Sequence, residues 1–397
     1  MQIMKKISIL LSFFLLCHFM AWAQDFKITH GPYLYDMGTD GVTVIWTTSK
    51  PALSWVELAP GNDSSFYAHS HPRYYSTVAG RRQSTSSFHC VRLKGLQPGT
   101  RYNYRIYSRE VLSWKGSGKV AYGNTVANNV FREKPYSFVT FPEKRREETT
   151  FVMFNDLHEN NDVFNRLCRH IDFARTDLVI LNGDMTNYIT DEEKLFTGYL
   201  DTAVDNFARH TPFLFAKGNH ENRGVYADHL MQYYPNRSGQ FYQLQRYGDI
   251  CLLVLDCGED KPDSDIEYSD LAQYDSYREE EARWLQDVLR SDEFLSSRVR
   301  IVISHIPFTS GDWHGNLHLR KLFLPLLNKA GIDLMLSGHT HNYSFHPQDA
   351  QCRFPTVVND NETSLRCRVD GKGIDVEIIT QDGKTLAHHY INITPKQ

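Results

Sequence analysis

The sequence lacks a surplus of positive charge. Its 43 Lys and Arg face 47 Asp and Glu, for a net charge of −4. Nothing there favours a nucleic-acid polyanion as partner. It also lacks internal repeats and low-complexity tracts. Beyond residue 23 no segment approaches 18 apolar residues in a row, so no membrane span is expected in the mature chain. Cysteine is scarce, seven in 397 residues. What remains is 41% apolar and 23% charged, the balance of a globular protein long enough for two domains.

The first residues read as an address rather than a fold. Lys5 and Lys6 precede the apolar run Ile7 to Met20, and Ala21-Trp22-Ala23 follows. The pattern predicts a secretory signal at 1–23, cut after Ala23, with a membrane anchor as the competing reading. A lipid-modified Cys17 is disfavoured, because Leu16 stands where a small residue belongs. The expected location is outside the cytoplasm, periplasmic or secreted. Six cysteines remain in that oxidising compartment. Cys251 and Cys257 sit on one apparent strand, roughly 20 Å apart, too far to pair unless it folds back. Cys352 and Cys367 have turns between them and can meet. Buried free thiols are the alternative for all six.

From 25 to 142 the pattern is β: "VTVIWTT", "SWVELAP", "HCVRLKGLQPGTRYNYRIYS" and "YSFVTFP", with Gly and Pro turns between. This predicts a small sandwich. His69, His71 and His89 are scattered through it and read as packing or surface residues. A charged run, "PEKRREETT" from Pro142 to Thr150, supplies the linker at 143–150. From 151 to 397 short apolar runs alternate with helical spacing, as in "YREEEARWLQDVL" and "RKLFLPLLNKAG", where Pro325 predicts a kink. This is an α/β layered pattern. Hairpins over 355–393 complete it.

The apolar runs end alike. "FVMF" leads to Asn155, Asp156 and His158; "LVIL" to Asn182 and Asp184; "FLFA" to Asn219, His220 and Glu221; "VRIVIS" to His305; "IDLMLS" to His339 and His341. Binding crevices in layered α/β folds lie beyond the carboxyl ends of strands, so these residues should converge. Asp, Asn and His supply carboxylate, amide oxygen and imidazole, a set suited to Zn, Mn or Fe rather than Ca. There are about seven of them, which suits two ions sharing a carboxylate roughly 3.5–4 Å apart. Such a pocket is net positive and attracts a phosphate oxyanion.

The ordered set D-x-H, G-D, G-N-H-E, H and G-H-x-H resembles the calcineurin-like metallophosphoesterase superfamily. With "LKGLQPGTRYNYRI" resembling a fibronectin type III-like domain in front, it resembles the purple acid phosphatase-like branch. The implied fold is a layered metallophosphoesterase β-sandwich flanked by helices, preceded by a small all-β sandwich. The resemblance implies that Asp156, His158, Asp184 and His341 hold one metal. Asp184 would bridge to a second, held by Asn219, His305 and His339. A hydroxide between the metals would attack phosphorus, and His220 would serve the leaving group. The implied activity is hydrolysis of a small phosphorylated substrate, with monoesters favoured over diesters or nucleotides; a non-catalytic binding or adhesion module and a single-metal hydrolase are the competing classes. The sequence departs from the purple enzymes in two places. They carry Tyr three residues after the bridging Asp, where this chain has Asn187, and they lack a residue like His158. The purple phenolate colour is therefore expected to be absent. Glu221, Trp313, His314 and Tyr343 are weaker candidates for supporting or substrate contacts. Arg223 lies near a motif end, and Asn155 and Asn182 read as hydrogen-bonding supports. A homodimer is left open.

Overall fold

A strand buried on both faces reads as a continuous apolar run rather than an alternating one. The runs ending at Phe154, Asn182, Ala216, Leu255, Ser304 and Ser337 are such strands. The computed structural model describes residues 25–63, 65–66, 68–129, 133–393 and 396. The expected signal at 1–23 lies outside them.

Two six-stranded mixed sheets form the larger part. In the first, Thr149–Phe154, Leu178–Asn182 and Phe213–Ala216 run parallel, and Thr363–Val369, Gly373–Thr380 and Thr385–Asn392 continue antiparallel. In the second, Ile250–Leu255, Val299–Ser304, Leu334–Ser337 and Thr356–Val358 run parallel, with Gln243–Tyr247 and Ser344–His346 antiparallel at the edges. Side chains alternate across each strand. Phe151, Met153, Ile180 and Leu214 meet Leu252, Val254, Ile301 and Leu336 in a core between the sheets. Val152, Phe154, Val179 and Phe215 point outward onto Phe164, Leu167, Tyr199 and Phe207. Leu253, Val302 and Met335 pack on Leu285, Leu319 and Phe323 of the helices Tyr274–Val288 and His314–Leu327. The layers are helix, sheet, sheet, helix.

The N-terminal region is all β. Gly41–Thr47 lies between Tyr33–Tyr35 and Phe88–Lys94, and Ala52–Pro60 pairs with Arg101–Lys115 in a second, five-stranded sheet. Trp46, Val56, Leu58 and Ile106 fill its interior. Tyrosines dock it: Tyr33 Oη donates to Tyr233 O and Tyr104 Oη to Arg209 O, both at 2.8 Å. Each ring buries apolar area while its hydroxyl finds a partner.

One sequence expectation changes. Thr149 and Thr150, placed in the linker, already pair with Val369 and Arg368. Of the two readings left open for the cysteines, free thiols hold for all six described ones; Cys352 lies under the helices and Cys367 between the sheets. The stretch 192–208, which the sequence reading did not assign, is helical with π turns at Phe196–Leu200 and Val204–Ala208. Among the described residues no helix is long and apolar enough to cross a membrane.

Candidate metal centre

Three of the five motifs leave their strands through strained backbone. Asp156, His158, Asp184, His339 and His341 have φ of 52°, 45°, 51°, 72° and 54°. Non-glycine residues adopt this left-handed region rarely and at a cost, mostly where function requires it. Neighbouring glycines make the close approach feasible: a Cβ on Gly218 would stand 2.3 Å from Asp184 Oδ1, and one on Gly338 2.6 Å from Asp156 Oδ2.

Each carboxylate has one oxygen tied and one free. Asp156 Oδ2 accepts from His339 N and from Asn155 Nδ2, both at 2.7 Å. Asp184 Oδ1 accepts from His220 N at 2.9 Å. Asp156 Oδ1 then lies 3.3 Å from His341 Nε2, and Asp184 Oδ2 lies 3.0 Å from His305 Nε2. The imidazoles are oriented in the same way. His305 Nδ1 donates to Asn182 O at 2.7 Å, and His158 Nδ1 to Asn187 Oδ1 at 3.1 Å. His158 Nε2 faces His341 Nε2 at 3.2 Å, and His339 Nδ1 lies 3.1 Å from Asn219 Oδ1.

These donor atoms fit cations. Asp156 Oδ1 and His305 Nε2 are buried without an aligned hydrogen-bond partner, an expensive state unless something else takes up their lone pairs. His305 Nε2 is close to Asp184 Oδ2 but off the line a hydrogen bond needs. Donor atoms of Asp156, His158 and His341 lie within 4.8 Å of one another, and so do those of Asp184, His305 and His339. Asp184 also groups with His158 and His220, so it stands between the two sets.

The charge state of the metal-free protein makes the same point. Burial alone would lower the pKa of His305, but Asp184 and Asp156 outweigh it and push it up to about 10. A proton there supplies the positive charge that the two carboxylates require. Burial, then His305, pulls His339 down to about 4, and burial also lowers His158. The nearby carboxylate of Asp156, 3.3 Å from Nε2, raises His341. Glu221 is pushed up to about 7 by burial and by Asp184.

The other candidates are dispersed. Glu221 accepts from Asp184 N, Met185 N and Gly218 N at 2.9, 2.8 and 2.9 Å, so it fixes two turns rather than the side chains of its neighbours Asn219 and His220. Trp313 is 54% exposed ahead of the helix His314–Leu327. His314 pairs with Asp275, away from the metal donors, at 2.8 Å. Tyr343 bonds His389. Arg223 is held bidentately by buried Glu259 at 3.0 Å, and its Nη1 lies 3.1 Å from His220 Nε2.

Two supports escaped the motif reading. Asn187 takes His158 Nδ1–H on its side chain and His220 Nδ1–H on its carbonyl at 3.0 Å. Its signal was present, since Asn187 is the position where the tyrosine is missing. Asn359 donates to Asn155 Oδ1 at 2.9 Å. It too ends a strand, Thr356–Val358, one step beyond the strand ends that carry the ligands.

The family models agree with this layout. Residues 149–343 match the calcineurin-like phosphoesterases, and residues 34–140 match the N-terminal domain of purple acid phosphatase. The chain thus carries a calcineurin-like phosphoesterase domain behind a purple acid phosphatase N-terminal domain. An acid phosphatase of Aspergillus ficuum is 37% identical over 86 residues, 21% of this chain and 14% of that one. A probable inactive purple acid phosphatase 24 of Arabidopsis thaliana is 22% identical over 359 residues, 77% of this chain and 52% of that one. The chain thus spans about half or less of the length of these relatives. The structure of purple acid phosphatase PPD1 from yellow lupin seeds superposes with a TM-score of 0.64 at 16% identity, covering 91% of this chain and 74% of that one. That likeness shows the fold.

Proposed function

We propose that the protein is an exported, metal-dependent phosphoric ester hydrolase with a preference for monoesters. The observation that supports it most is the pair of buried, unpartnered atoms, Asp156 Oδ1 and His305 Nε2, facing each other across a ring of imidazoles. Asp156, His158, Asp184 and His341 would hold one ion, and Asp184, Asn219, His305 and His339 the other, drawn from Fe, Mn or Zn. When bound, such a pair supplies positive charge to phosphoryl oxygens and makes water nucleophilic near neutral pH.

The chain's own groups do the rest. Asn187 O fixes the proton of His220 on Nδ1, so Nε2 is the atom that exchanges a proton with the leaving-group oxygen. Arg223, clamped by Glu259, adds a fixed charge beside it. That charge suits the dianion of a monoester better than the monoanion of a diester. Asn187 occupies the place of the tyrosine, so a loaded sample should show no purple phenolate band in its visible spectrum.

The test is hydrolysis of p-nitrophenyl phosphate and its bis-ester by protein reloaded with Mn, Zn or Fe. Inactivity on both esters would refute the hydrolase reading. His220→Ala should lower turnover by about 10²-fold or more on alkyl phosphates and far less on p-nitrophenyl phosphate, whose leaving group needs little protonation. Equal losses would remove His220 from that role.

A further inference from the structure

A second group of metal-ligand residues lies outside the centre. The helix His314–Leu327 carries His314 and His318 one turn apart, and the helix Tyr274–Val288 carries Asp275 in its first turn. An i, i+4 histidine pair presents both rings on one face. His314 Nε2 lies 2.8 and 2.9 Å from the two oxygens of Asp275, and His318 Nδ1 lies 3.0 Å from Oδ1. The three donor atoms fall within 4.8 Å of one another.

We propose that Asp275, His314 and His318 form a third cation site, separate from the centre and suited to Zn²⁺. Hydrogen bonding explains His314 fully and His318 not at all. His318 Nδ1 is buried and has no aligned partner, although a carboxylate oxygen lies within reach. Ligand atoms around a tetrahedral zinc stand about 3.3 Å apart, given zinc–nitrogen and zinc–oxygen bonds of about 2.0–2.1 Å. The observed separations need to widen only slightly. The side chains of His314 and Asp275 are 35% and 37% exposed, so a fourth position is open to water. Arg278 Nη1 lies 2.9 Å from Asp275 Oδ1 and offsets part of its charge. This disfavours Ca²⁺ and Mg²⁺, which depend on carboxylates, relative to an ion bound through imidazole.

The position gives such an ion a role. Arg278 also binds Cys257 O and Glu259 O, and Gly315 N donates to Asp260 O at 2.8 Å. Glu259 in turn clamps Arg223 beside His220. An ion across the two helix starts would staple the loop that carries Glu259 to the one that follows His305. The site uses none of the centre's residues, so it stands whether or not the hydrolase reading holds.

The test is zinc content per chain by inductively coupled plasma mass spectrometry, after loading with Zn²⁺ and desalting. Wild type should retain one zinc more than His314→Gln/His318→Gln. Asp184→Asn, which disables the centre, should keep the zinc that the double variant lacks. Asp275→Asn, which preserves shape and both imidazoles, should lose the same single ion, and circular dichroism would verify that the helices persist. Equal zinc content in wild type, Asp275→Asn and the double variant would overturn the proposal.

Discussion

His89 in the N-terminal sandwich and His305 at the metal centre are 5% and 0% exposed. His89 bonds Thr48 Oγ1 at 2.8 Å through Nε2, and burial holds its pKa down to about 3. His305 bonds a carbonyl through one nitrogen, presents the other unpartnered to two carboxylates, and is pushed up to about 10. Burial alone therefore does not mark a functional histidine. The mark is a buried nitrogen that the protein itself leaves without a partner, opposite fixed negative charge.

The comparison can be broken in three places. The largest effect should come from Asp184→Asn, which removes the charge shared by both ligand groups. Bound metal should fall by at least one ion per chain, and kcat by about 10³-fold or more, the scale of losing one member of a catalytic unit. Near-normal activity would make the two histidines equivalent after all. Next is Asn187→Ala, which frees His158 from the side-chain amide while leaving every ligand, and the carbonyl that holds His220, in place. Loss of such an orienting bond costs about 10- to 100-fold in metal affinity or activity, read by metal titration and kcat. An unchanged enzyme would show that the imidazole of His158 holds its own orientation.

The third test is on the sandwich side. The folded pKa of His89 is below its value of 6.5 in the unfolded chain. The unfolded chain therefore takes up a proton first as pH falls, and stability present above pH 6.5 is lost between pH 6.5 and 3. Between pH 7 and 4.5 that loss is about 2.5 kcal/mol. His89→Asn can replace the bond to Thr48 and has no proton to gain. Its stability in urea, measured on chelated protein, should fall by about 2 kcal/mol less over that range. Parallel losses would place the acid sensitivity elsewhere.

The strand ends were legible because one rule governs them all: a fully apolar run followed at once by Asp, Asn or His has no structural need for those residues. The layered fold was legible for the same reason, since doubly buried strands and amphipathic helices write different periods. Supports such as Asn187, Asn359 and Glu259 were not legible in that way. Each acts through hydrogen bonds to residues distant in sequence, and such bonds leave no periodic trace. The cysteines stayed ambiguous because spacing sets only how far apart two thiols can be, and Cys352 packs under the helices while Cys367 packs between the sheets.

The left-handed backbone at His341 has a consequence for selection. A non-glycine residue there costs about 1 kcal/mol or more in the folded state, and its side chain is 45% exposed, with few packing contacts to lose. His341→Gly should therefore melt at a higher temperature than wild type when both are metal-free, while binding metal worse. Mutation would drift toward that sturdier, inert chain wherever the activity went unused. A histidine retained at such a position is evidence of a trade-off still being enforced.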